Sequence, residues 1–221
     1  MSLLRKMLAI KPVRTPLDFG INENVRLTAI DNETRKWEGE VIPRNTFLTF
    51  TKFDSNGNKI AKSEFSYFNL DHTSDFVFDN LVQQVGQLNN IASILNPGSV
   101  VDPTAEFEDL EEIKEAIRTK KGCQALMDTM WEQFHEAVSE FIGDESQLLR
   151  IKVVTDNKGK WLQLPRDAHF LESIDSDSTL SISAYELKMF NKGSEPTQET
   201  ADEKADAPDE KPKKKSALAG L

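Results

Sequence analysis

The chain has 221 residues, of which 38% are hydrophobic and 29% charged, and a formal net charge of −10. That length supports one packed core with extensions, and the single cysteine, Cys123, excludes an intramolecular disulfide and suits a reducing compartment. The acidity argues against a broadly basic nucleic-acid binder, but residues 102–147 alone hold thirteen acidic groups against four basic ones, so most of the deficit sits in one segment.

Residues 1–17 carry Arg5, Lys6, Lys11 and Arg14 and no acidic group, which makes a basic N-terminal arm. The apolar runs there are too short for a secretory core or a membrane span, so a soluble intracellular protein with no membrane contact is expected. A first strand is predicted over 25–30. The following loop, 31–45, brings Arg35, Lys36, Trp37 and Arg44 together. Residues 46–53 form a second strand of β-branched and aromatic residues, the turn Asp54-Ser55-Asn56-Gly57-Asn58 closes a hairpin, and 60–70 return antiparallel. Along the second strand Phe47, Thr49, Thr51 and Phe53 share one face, while Leu48, Phe50 and Lys52 share the other. Alternation alone leaves open which of these faces lines the core.

Helix follows over 75–143. Asp75 is placed to cap a segment in which Phe78, Leu81, Val82, Val85, Leu88, Ile91 and Leu95 recur three and four apart until Asn96-Pro97-Gly98. After Asp102-Pro103-Thr104 a second stripe runs through Phe107, Leu110, Ile113 and Ile117. Gly122 interrupts it, and Leu126, Met127, Met130, Phe134, Val138 and Phe141 continue it. The acidic residues lie mostly off these stripes and read as a solvated face. A fourth strand is predicted over 148–155, with Ile151 and Val153 facing in and Arg150 and Lys152 facing out, and Asp156-Asn157-Lys158-Gly159 turns into a fifth over 160–164 that starts with Lys160 and Trp161. Residues 191–221 lack aromatic side chains and are rich in charge, so they are expected to be a disordered tail. Within it 195–210 hold seven acidic groups and one Lys, a composition suited to competing with nucleic acid for a basic groove.

The element order predicts a mostly β fold with an α insertion: a five-stranded barrel of the oligonucleotide-binding type over 18–190, with the helical block between strands 3 and 4. Such barrels bind ligands on strands 2 and 3 and in the loops joining strands 1 to 2 and 4 to 5. The expected nucleic-acid-binding residues are Arg35, Lys36, Trp37, Arg44, Lys52, Lys62, Tyr67, Arg150, Lys152, Lys160 and Trp161, a mixture of stacking faces and phosphate-binding cations. No catalytic constellation stands out. His72, His135 and His169 lie in different segments, and the sequence has neither a glycine-rich phosphate loop nor a nucleophile elbow. A non-catalytic protein without metal or cofactor is expected, and a barrel that binds protein, in a structural or assembly role, is the alternative that the net acidity favours.

Three stretches resemble the single-stranded DNA-binding proteins of tailed bacteriophages: Gly20-Ile21-Asn22-Glu23-Asn24-Val25-Arg26-Leu27-Thr28, Asn45-Thr46-Phe47-Leu48-Thr49-Phe50, and Leu149-Arg150-Ile151-Lys152-Val153-Val154 with Asn157-Lys158-Gly159 and Leu164-Pro165. The resemblance spans about residues 18–185. It implies a barrel that coats single-stranded DNA during phage DNA replication and recombination in the cytoplasm of the infected bacterial host, with replication or recombination proteins as further partners. Proteins of that family often end in an acidic tail with an apolar tip. Here Lys211, Lys213, Lys214 and Lys215 separate the acids from Ala217-Leu218-Ala219-Gly220-Leu221.

Overall fold

The computed structural model describes residues 15–33, 36–37, 40–41, 45–67 and 70–194, with the backbone alone at 32–33, 36–37, 40–41, 45 and 194. The basic arm up to residue 14 and the tail from 195 onward therefore lie outside the described residues. Strand β1 spans Gly20–Glu33, β4 Asn45–Phe53 and β5 Lys59–Tyr67, and a short ribbon of β2 (Lys36–Trp37) and β3 (Glu40–Val41) stands between β1 and β4 in the chain. Helices α1 (Val77–Leu95), α2 (Leu110–Ile117) and α3 (Lys120–Val138) follow, then β6 (Leu149–Thr155), β7 (Leu162–Gln163), β8 (Leu171–Ser173) and helix α4 (Ala184–Ser194).

Strand β1 reaches five residues further toward the N-terminus than its β-branched run suggested, because it serves two partners in turn. Gly20 to Val25 pair with β6, and Val25 to Glu33 pair with β4. The change of partner falls at a register shift where Asn24 takes a φ of 56°. Asn22, 1% exposed, braces the bend by donating from Nδ2 to the Asp18 carbonyl (2.8 Å).

The six-stranded sheet is antiparallel throughout and runs β5-β4-β1-β6, with β7 and β8 sharing the far edge of β6. It does not close. The mostly β barrel expected from the sequence is corrected to a mixed α/β structure with an open sheet, since β5 and β7 form no ladder with each other. The physical reason lies in the exit of β7. Gln87, buried on α1, donates from Nε2 to the Pro165 carbonyl, and Pro165 has no N–H with which to prolong a ladder. The chain leaves β7 toward α1 after two residues.

One face of the sheet and the inward faces of α1 and α3 make a single core. Val25, Leu27, Leu48, Phe50, Phe65, Ile151 and Val153 meet Leu81, Leu88, Ile91, Met130, Phe134 and Val138 there. Leu48 and Phe50 are the inner residues of β4, yet Phe47, Thr49, Thr51 and Phe53 on its other face are buried too, so the strand reads as a continuous run rather than an alternation. Each large side chain so buried stabilises the fold by roughly 1.5–3 kcal/mol, which makes the apolar stripes, rather than surface ion pairs, the main attachment of helices to sheet.

Helix α1 starts at Val77 with Phe76 before it and no side-chain cap. The expected cap, Asp75, lies instead 4.0 Å from Arg118, and Ser74 Oγ accepts the Phe76 N–H. The second predicted helix divides after Ile117. Thr119 caps α3 by accepting from Gly122 N–H, and a side chain at Gly122 would collide with the Ala116 carbonyl, so the glycine permits the tight corner. Helix α4 had no clear periodic signal. It carries ordered helix to Ser194, past the boundary at 190 that composition suggested.

Candidate functional site

The gap between the two ends of the sheet is a cleft of about 550 Å³. Glu64 and Ser66 on β5 form one wall, Trp161, Gln163 and Arg166 the other, and Asn80, Gln83 and Gln84 of α1 lie between them. The wall that carries Trp161 is built by a turn whose chemistry is local. Gly159, at φ 70°, supplies the left-handed residue, its N–H donates to the Asp156 carbonyl (2.9 Å), and Asp156 N–H donates to the Trp161 carbonyl (2.9 Å). The Asp156 carboxylate accepts from Lys160 N–H at 2.7 Å and from Trp161 N–H at 3.3 Å. The Lys160 amide first, helped by the Trp161 and Lys158 amides and the Lys158 charge, holds this carboxyl below the usual carboxylate range despite a small opposing effect of burial.

This turn leaves the Trp161 side chain 74% exposed, a large aromatic surface held in water at the mouth of a polar cleft. Arg166 lines the same cleft, Lys158 and Lys160 are exposed in the turn that precedes Trp161, and none of the three is in an ion pair among the described residues. Across the cleft Lys62 is neutralised by Glu64 at 2.8 Å. Side-chain amides, a free aromatic face and unpaired cations can stack on a flat ring, hydrogen-bond its edge and meet an anion beside it. Among the described residues no group of three His, Cys, Asp or Glu side chains could hold a metal ion.

The expected site residues separate into five groups. Trp161 and Lys160 stand at the cleft mouth, and Lys62 is exposed on β5. Tyr67 points inward instead: it is 5% exposed, its ring meets Trp131 edge-on with centroids 5.5 Å apart, and burial pushes its phenol well above the ordinary value. Lys52 is half-buried on the same side of β4 as Leu48 and Phe50. Arg35 and Arg44 lie outside the described residues, and of Lys36 and Trp37 only the backbone is described, in β2.

Arg150 and Lys152 require the largest correction, because the face expected to be a solvated groove is occupied. Arg150 Nε donates to Glu23 (3.0 Å), Nη1 and Nη2 donate to the carbonyls of Ser176 and Ile174, and Nη1 lies 3.6 Å from Glu172. Lys152, 8% exposed, is paired with Glu186 of α4 at 2.8 Å. Burial alone would raise the carboxyls of Glu172 and Glu186. Hydrogen bonds from Thr179 to the first and from Lys152 and Ser183 to the second outweigh it, and both lie below the usual range. These cations fasten the C-terminal segment to β6.

Sequence reasoning missed Arg166 and the amides of α1, which fall between the apolar positions and carry no motif. It also missed Arg26, whose guanidinium stacks 4.2 Å from the Phe53 ring centre. Cys123 is buried, and burial, with the nearby Asp71 charge, pushes its thiol up, consistent with a packing role. No helix among the described residues is long and apolar enough to cross a membrane. Comparison with family models, curated protein sequences and solved structures finds no match to the chain.

Proposed function

We propose that the chain binds single-stranded DNA without catalysis, in the cleft between β5 and β7. The observation that carries this reading is Trp161, fixed by the Asp156 turn yet exposed to solvent, with Lys158, Lys160 and Arg166 in no ion pair among the described residues. Stacking on such a face is worth roughly 1–3 kcal/mol per base and tolerates any sequence. The position of the cleft supports the reading. β5 and the turn between β6 and β7 correspond to the third strand and the loop between strands 4 and 5 of an oligonucleotide-binding barrel, a fold that is itself partly open. The partner change in β1 and the helices inserted between β5 and β6 fit the same plan. On this reading the protein coats single strands during phage DNA replication and recombination in the host cytoplasm.

The pairing of Arg150, Lys152 and Lys62 with carboxylates, on a chain of net charge −10, favours a second reading in which the cleft receives a protein partner in a structural or assembly role. Salt dependence separates the two. If Lys158, Lys160 and Arg166 each neutralise one phosphate, affinity for oligo(dT) falls with salt at a log-log slope of about −2. A gel shift of the full chain with oligo(dT), but not with duplex of equal length, at low salt supports the DNA reading. No shift at any salt concentration transfers the cleft to the protein-partner reading.

A further inference from the structure

Helix α4 ends against the turn that carries Trp161. A side chain on Gly193 would run into the Gly159 carbonyl, and one on Gly159 would meet the Gly193 backbone and the Met189 carbonyl. Gly57, the glycine of the other hairpin turn, has open space around it. Two further contacts hold the helix in place: the Lys152–Glu186 pair at 2.8 Å, and Phe190 stacked on Phe19 with ring centres 4.2 Å apart and planes 10° from parallel. Tyr185 adds a long contact from its hydroxyl to Asn157 Oδ1, at 3.5 Å, in the same turn.

We propose that α4 is a clamp for the 156–161 turn, and that Gly193 is a positioning residue whose missing side chain lets the helix seat on Gly159 and fix Trp161 at the cleft mouth. The importance of that position for DNA rests on the function proposed above; the clamp itself does not. A turn of six residues joined to a two-residue strand has few long-range contacts of its own, so its stability depends on what packs on it. At Gly193 the usual helix rule changes sign. Alanine exceeds glycine in helix propensity, so Gly193→Ala would strengthen an isolated helix, whereas here its methyl group opposes seating.

Hydrogen exchange of the full chain tests this. Gly193→Ala is expected to speed exchange of the 156–161 amides roughly tenfold while α1 and α3 keep their wild-type rates. Oligo(dT) affinity should fall with it. Phe190→Ala, which removes the stacking on Phe19, should speed the same amides, and it serves as the test if Gly193→Ala unfolds the whole chain. Wild-type exchange over 156–161 in folded Gly193→Ala, or in Phe190→Ala, overturns the clamp. Faster exchange in a protein that never binds oligo(dT) leaves the clamp standing and refutes the DNA reading alone.

Discussion

The two halves of the β6–β7 hairpin contain the same kinds of residue and use them in opposite ways. Along β6, Arg150 and Lys152 are tied to Glu23, Glu172 and Glu186 and hold the C-terminal segment against the sheet. Beyond the turn, Lys160 and Trp161 meet solvent at the edge of the cleft. A cation is therefore available to a ligand only where no distant carboxylate reaches it. Strand alternation places a side chain on a face, and the rest of the fold decides whether that face is open.

The largest expected effect lies on the fastened half. Arg150→Ala removes the guanidinium beside Glu172, 6% exposed, and leaves the His169 ring at 3.1 Å as its only basic partner among the described residues, and breaking such a buried pair costs about 3 kcal/mol. Thermal denaturation should show a Tm lowered by about 6–12 °C for a domain of this size. The sequence alone placed Arg150 and Lys152 on an outward face, where solvated charges contribute little to stability. An unchanged Tm would restore that view and dissolve the contrast between the halves.

Acid sharpens the same contrast. Glu172 and Glu186 are depressed in the folded state, so their ionised forms contribute stability that is fully present above the ordinary Glu value of about 4.3. That contribution is lost as pH falls from there through the folded values. Tm of the wild type should drop over that interval, and Glu186→Gln should flatten the drop and lower Tm at neutral pH. The smallest effect belongs to the exposed turn. Asp156→Ala frees the Lys160 and Trp161 amides to water and should leave Tm nearly unchanged, while hydrogen exchange over 156–161 rises.

These contrasts follow how much of the molecule could be read from the sequence. The β4–β5 hairpin was legible because Asp54 and Gly57 build their turn locally, with the Asp54 carboxylate accepting from Asn56 and Asn58 N–H. The stripes of α1 and α3 were legible for a similar reason, although Val82 proves 55% exposed. Helix α4 was not, because Tyr185 and Leu187 stay in solvent and the partner of Phe190 is Phe19, at the other end of the chain. Strand β8 is three residues long and pairs through its backbone with β6, which leaves no period to detect. Of the expected site, the turn that presents Trp161 could be read from Asp156 and Gly159. The fates of Tyr67, Arg150 and Lys152 depended on Trp131, Glu172 and Glu186, which only the tertiary structure brings near.

The most direct test of the division is the affinity for fluorescently labelled oligo(dT), measured by anisotropy at low salt for the wild type, Trp161→Ala and Arg150→Ala, each below its unfolding range. The account predicts a loss of roughly 1–3 kcal/mol for Trp161→Ala, about 5- to 150-fold in Kd, and wild-type affinity for Arg150→Ala. Wild-type affinity in Trp161→Ala together with a loss in folded Arg150→Ala would contradict it, and would return the binding surface to β6.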